Sequence, residues 1–284
     1  MESNFNTPAQ VVGNNINGQI TKANLPLLKM ILLGIMAGAF IAMGGVASNV
    51  AVHNISNVGL ARTLAGTIFP VGLMLVILVG GELFTGNCLL IMARMDKKIS
   101  TLAMLRNLIV VYISNLVGAL IIDYLVFFSG QFDYTSGGLG AYTIKVAIAK
   151  TNIAPGTAIA SGIMCNILVC LAILMAASAK DVAGKILAIF FPIWAFVICG
   201  FEHCVANMYY ITAGLLAECN PQYVELAKEA YGFSQEYLGT LNVENYFVKN
   251  LLPVTIGNII GGAFCVGVPV YYLNFDKKKS KEIK

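Results

Sequence analysis

Charge is what this chain of 284 residues has least of: Asp, Glu, Lys and Arg make up 11% of it, against 58% hydrophobic residues and a mean hydropathy of +0.78. Soluble globular domains carry about 25% charged residues, so a water-soluble fold is excluded and the chain belongs in lipid. Histidine occurs only at His53 and His203, and neither HExxH nor GxSxG is present. A zinc hydrolase and a serine-nucleophile elbow are therefore excluded, and an intramembrane enzyme lacks its parts. The seven cysteines form no CxxC pair, and only Cys219 falls near a long loop, so neither a disulfide framework nor a metal knuckle is expected. Nucleotide-binding signatures are missing too, which leaves passive or proton-linked chemistry with no cofactor. Residues 1–26 lack the charged and apolar regions of a signal peptide.

What the chain does have is six apolar stretches, at roughly 27–52, 64–93, 105–129, 153–178, 186–216 and 248–275. Each exceeds or approaches the ~20 residues that cross a bilayer as a helix. The expected organisation is a segment 1–26, a six-helix region 27–275 built of halves 27–130 and 150–275, and a basic tail 276–284. Of the 18 Lys and Arg residues, 13 fall on one side of that arrangement, among them Lys22, Lys97, Lys98 and the lysines of the tail. Both termini are therefore expected in the cytoplasm. The net charge of +4 mostly reflects the tail, an orienting signal and not a nucleic-acid surface.

The two halves repeat one motif set. Glu82 and Asn87 in the second stretch are matched by Glu202 and Asn207 in the fifth, both at an offset of 120. Asn107, Asn115 and Gly118 in the third are matched by Asn250, Asn258 and Gly261 in the sixth. Three spans per half force the second half to enter from the opposite side, an inverted repeat. Stretches two and five are about 30 residues long, begin at Phe69-Pro70 and Phe191-Pro192, and meet Gly and polar residues near mid-depth at Gly80-Gly81-Glu82 and Gly200-Phe201-Glu202. They read as broken helices. Irregular backbone at that depth must line a cavity or be buried in protein, and half-helix N-termini favour an anion. Glu82, Glu202 and His203 are costly in lipid, which points to a working midplane site.

GELFTGN at 81–87, FEHCVANM at 201–208 and PVTIGNIIGG at 253–262 closely resemble the formate/nitrite transporter family, which includes hydrosulfide channels. The resemblance runs from about Lys22 to Tyr272. It implies an all-α, aquaporin-like protomer with its own pore, a homopentamer, and a bacterial-type inner or plasma membrane. It also implies that His203 is the central pore histidine and that Thr85 faces it. Lys150 and Asn166 then match a vestibule lysine and its polar partner, and Lys22 the vestibule lysine of the other side. Leu73, Leu83, Phe84, Phe69, Phe196 and Val169 fall at the apolar constrictions.

Together these imply lysines that gather an anion and a dry ring that excludes hydrated ions. Desolvating a bare anion costs tens of kcal/mol in the Born limit. A weak acid escapes that cost by taking a proton, so formate is the expected substrate, with hydrosulfide or nitrite the alternative and lactate also chemically suited. Whether His203 gives that proton or only orients the ligand stays open, with Glu202 placed to bias it. A neutral-solute pore is the more distant alternative, without paired Asn-Pro-Ala motifs to support it. Val12, Ile16 and Ile20, at intervals of four, give the N-terminal segment a narrow apolar stripe, fit for a helix on the membrane surface or a mobile tail. Asp123, near the end of span three, has no assigned role.

Overall fold

The computed structural model describes residues 4–275; the basic tail lies outside them. Among the described residues, six helices are long and apolar enough to cross a membrane: Leu27–Val52, Val58–Gly80, Thr101–Phe128, Pro155–Ser178, Val182–Cys199 and Val243–Asn274. We number them spans one to six. The chain is an all-helical, multi-pass membrane protein, as its composition requires. Large apolar side chains such as Leu28, Ile109, Phe128, Leu187 and Phe264 are exposed on its flanks, where lipid is the solvent.

Spans two and five are broken, as expected, but they start earlier than their hydropathy suggests. Span two begins after Asn57, whose side chain accepts from the Leu60 N–H at 2.9 Å, and span five after Asp181, whose carboxylate accepts from the Gly184 N–H at 2.7 Å. These N-caps set the boundaries. Arg62 and Lys185, in the first turns, had moved the apparent starts inward. Phe69-Pro70 and Phe191-Pro192 accordingly lie within the first half-helices and not at their beginnings. The first break is extended at Gly81–Leu83, after Gly80 at a φ of 106°; the second covers Phe201–His203, after Gly200 at 71°. Those positive φ values are accessible to glycine at little cost. Beyond the breaks, span two resumes as Phe84–Asn87 and Leu90–Met95, and span five as Cys204–Glu218.

Two buried asparagines hold the extended residues. Asn115 Nδ2 donates to the carbonyls of Gly34 (2.8 Å) and Glu82 (2.9 Å), while its Oδ1 accepts from the Phe84 N–H (2.9 Å). Asn258 does the same in the other half, to Gly162 (2.8 Å) and Glu202 (3.0 Å) and from Cys204 (2.9 Å). Backbone groups that a broken helix cannot satisfy are thus satisfied by the neighbouring span. The glycine three residues further along lets the spans approach. A Cβ on Gly118 would collide with the Ile35 carbonyl, and one on Gly261 with the Ile163 carbonyl.

Each half also carries a helix ahead of its first span, Pro8–Ala23 and Gly138–Thr151. The stripe on the first is docked on protein: Val11, Val12 and Ile16 are buried against a cluster that includes Leu89, Leu90 and Met92, where span two resumes. Its start is tied to the end of span four by a bond from the Asn6 N–H to the Ser178 carbonyl at 2.8 Å. Thr7 caps it, and Gln10 completes a capping box.

Candidate functional site

Lys22 lies in the last turn of the docked helix, and that placement makes the first polar cluster. Lys22 Nζ lies 3.2 Å from Glu82 Oε1 and donates to Asn87 Oδ1 at 2.9 Å. Asn87 Nδ2 donates to Glu82 Oε2 (2.7 Å) and Asn107 Oδ1 (2.8 Å), and Asn107 Nδ2 returns to the Lys22 carbonyl (3.1 Å). The second half builds the same cluster from its preceding helix, which ends near Lys150. Lys150 Nζ meets Glu202 at 2.9 and 3.2 Å; Asn207 Nδ2 donates to Glu202 Oε2 (2.6 Å) and Asn250 Oδ1 (2.8 Å); Asn250 Nδ2 closes the ring on the Lys150 carbonyl (2.9 Å). Each ammonium is therefore paired, which is how a buried carboxylate is kept in a membrane. Sequence spacing had flagged Asn107 and Asn250 without giving them a part. The part is to join lysine, glutamate and asparagine across three segments.

Two placements differ from expectation. Asn166 is not the partner of Lys150: its Nδ2 donates to the carbonyls of Thr85 (3.1 Å) and Asn258 (2.6 Å), so it fixes the first break against span six. Glu202 does not touch His203 through a hydrogen bond, because its carboxylate is turned to Lys150, Asn207 and Asn250. Adjacent residues of an extended strand point to opposite faces, and that alternation separates the two.

The breaks meet at His203 and Thr85. His203 is the N-cap of Cys204–Glu218: its Nδ1 accepts from the Ala206 N–H at 3.0 Å. An accepting Nδ1 carries no proton, so the ring hydrogen sits on Nε2. Nε2 is 2.9 Å from Thr85 Oγ1, which makes the imidazole the donor and leaves the threonine hydrogen free to reach a third group. Both residues are buried, at 3% and 0% exposure. By the 120-residue offset His203 corresponds to Leu83, so an imidazole stands in one half where the other has an isobutyl group.

Apolar residues close the surroundings. Phe69 and Phe196 meet edge to face, 5.6 Å between centroids, and Phe196 stacks on His203 at 6.1 Å and 27°. The same two rings help to line a cavity of about 160 Å³, together with Lys150, Asn207, Ser48, Asn49, Tyr210 and His203. Leu73, Leu83 and Val169 are each 2% exposed. Phe84 is not part of the Phe69–Phe196 pair. Its ring lies 4.8 Å from Tyr112 of span three, whose hydroxyl is 3.0 Å from Thr255 Oγ1 of span six. One further contact had no sequence signal: Arg62 donates from Nη1 to the Ile198 carbonyl at 3.1 Å, at the C-terminal end of the first half of span five.

The profile of the formate/nitrite transporter family matches residues 9–272. Formate channel FocA of Haemophilus influenzae is 37% identical over 94% of this chain and 94% of its own length. A probable formate transporter of Methanothermobacter thermautotrophicus is 36% identical over 96% and 98%. A solved pentameric formate channel with formate bound superposes with a TM-score of 0.76 at 32% identity, covering 87% of this chain and 97% of that one. The aquaglyceroporin of Plasmodium falciparum, at 13% identity and a TM-score of 0.50, shares the fold alone. The docked lysines, the paired breaks and the match along nearly the whole chain lead to one conclusion: this chain belongs to the formate/nitrite transporter family.

Proposed function

We propose that the protein is a conduit for small monovalent weak-acid anions, formate first, which cross in protonated form through one pore per protomer of a homopentamer. The observation that carries this is the Thr85–His203 pair, 2.9 Å apart where the two breaks meet, beside a cavity that holds a lysine and behind a Phe69–Phe196 constriction. The named relatives and the pentameric neighbour support formate and the assembly. Hydrosulfide or nitrite is the alternative substrate at the same site. The pore-forming unit is 27–275, with Lys22 supplied by the segment before it, and the Lys150 side faces outward.

On this reading Lys150 raises the local anion concentration without offering a bare charge, since Glu202 shares it. The dry aromatic pair admits the neutral acid and resists the anion, because low dielectric disfavours the charged form. At the midplane, His203 Nε2–H and the Thr85 hydroxyl replace the water that the acid leaves behind. Chloride has no protonated form at neutral pH and is excluded on the same argument.

The test is uptake of formate, hydrosulfide, nitrite and chloride into proteoliposomes at several pH values, for the wild type and His203→Asn. Asparagine is a strong N-cap, so the variant keeps the helix start while it removes the Nε2–H. Uptake of the three weak acids should rise as pH falls, chloride should stay outside, and the variant should lower weak-acid uptake across the pH range. Equal passage of all four would return the neutral-solute pore to the front.

A further inference from the structure

Among the described residues, two that line the Lys150-side cavity each carry a buried polar atom with no hydrogen-bond partner: Asn49 Nδ2, a donor, and Asn207 Oδ1, an acceptor. Asn49 is 5% exposed and the Tyr209 phenol stands beside it, yet its amide hydrogens find no acceptor in hydrogen-bond geometry. Asn207 is fully buried, and its own N–H groups are spent on Glu202 and Asn250. A buried amide group left without a partner costs about 1–3 kcal/mol, and two such groups of opposite character, on residues that line one cavity, suit a ligand that completes both. The cavity, about 160 Å³, exceeds the ~30 Å³ share of a water molecule several times over.

The other half lacks this arrangement. The oxygen of Asn87, equivalent to that of Asn207, already accepts from Lys22 at 2.9 Å. Ala177 stands in span four where the 128-residue offset that relates Lys22 to Lys150 would place a counterpart of Asn49. The open donor and acceptor on one cavity lining are therefore particular to the Lys150 cluster, although Asn15 Oδ1 and Gln19 Oε1 of the Pro8–Ala23 helix are also without partners.

We propose that Asn49 and Asn207 form a subsite for the neutral, protonated form of the substrate, and so determine specificity. A carboxylic acid offers one O–H and one C=O. The O–H donates to Asn207 Oδ1 and the C=O accepts from Asn49 Nδ2. An anion offers acceptors only, which would set it against the amide oxygen and the Glu202 carboxylate nearby. The proton comes from hydronium in the aqueous phase, HCOO⁻ and H₃O⁺ giving HCOOH and H₂O, and no residue is required to supply it. The inference rests on the transport reading above but can fail separately from it.

The probe is formamide, which matches formic acid in size, carries an N–H and a C=O, and never ionises near neutral pH. Saturation-transfer NMR on the detergent-solubilised protein should detect formamide binding that does not vary with pH, while formate binding strengthens as pH falls. Nitrate, of similar size but with acceptors only, should displace formamide poorly. Asn49→Leu, which keeps the volume and removes the donor, should weaken formamide binding about tenfold, the loss of one hydrogen bond. Nitrate displacing formamide as well as formate does, or unchanged binding in Asn49→Leu, overturns the subsite. If Asn49→Leu does not fold, the contrast between formamide and nitrate on the wild type decides alone. Asn49-dependent formamide binding in a protein that takes up no formate would keep the subsite and remove the transport reading.

Discussion

At the scale of single residues, hydrogen-bond direction carries the account. Because the Ala206 N–H occupies His203 Nδ1, the imidazole has one hydrogen to give, and it gives it toward Thr85. Thr85→Val keeps the shape and strands the Nε2–H. Formate uptake should fall about tenfold, with a loss of about 1–3 kcal/mol in thermal unfolding measured in detergent. The lysines make a second prediction. Lys150 and Glu202 side chains are 16% and 7% exposed, Lys22 and Glu82 30% and 6%. Lys150→Met leaves a buried carboxylate without its cation and should cost about 3–5 kcal/mol, more than Lys22→Met, because Lys22 is the more exposed of the two ammonium groups and its pair is the better screened. Adding Glu202→Gln to Lys150→Met should restore the melting temperature but not uptake. Restored uptake would deny the lysine its role in gathering the anion. These residues were partly legible in the sequence. Glu82, Glu202 and their asparagines stood out because polar groups in an apolar run are costly and the spacing recurred. Asn166 was seen, but its direction was not. Its span was clear from hydropathy, whereas its contact with Thr85 depends on how that span crosses another, which spacing along one chain does not encode.

The elements show why the breaks persist. An extended segment at mid-depth would expose backbone groups worth several kcal/mol if nothing met them. Asn115 and Asn258 each meet two of them and bond a third carbonyl, Gly34 in span one or Gly162 in span four. Asn258→Ala should therefore destabilise the protein by about 2–4 kcal/mol, the sum of partly relaxed buried groups. Asn258→Asp, which keeps the acceptor for the Cys204 N–H, should lose the two donated bonds alone, yet place a buried charge beside them. A melting temperature for Asn258→Ala equal to the wild type would mean that the break is held by packing and not by the amide. The break positions were legible from Gly80, Gly81 and Gly200. The starts of spans two and five were not, because Arg62 and Lys185 lower the local hydropathy inside true helix, and only the caps at Asn57 and Asp181 mark the boundary. The helix before span one was legible as a stripe, but a stripe of Val12, Ile16 and Ile20 suits lipid and protein surfaces equally. The cluster at Leu89, Leu90 and Met92 decides it.

On the scale of the molecule, two halves of one motif set are joined with opposite sense, and their differences matter as much as their likeness. The lysine clusters correspond closely, while Leu83 stands where the other half has His203 and the Asn207 oxygen stays open where the Asn87 oxygen is filled. A repeated scaffold thus carries side chains that differ between its halves. The assembly makes a prediction of its own. Light scattering of the purified protein, corrected for detergent, should give about five times the chain mass of 30.3 kDa, and a monomer at working concentration would contradict the homopentamer. The central claim, that the substrate crosses as its acid, is tested most directly by a pH-sensitive dye trapped inside proteoliposomes exposed to an inward formate gradient with the membrane potential clamped at zero. Formate entry should acidify the lumen one proton per formate, at a rate unmoved when the clamp is set to other potentials. Formate entry without acidification, at a rate that follows the imposed potential, would mean that the anion itself passes.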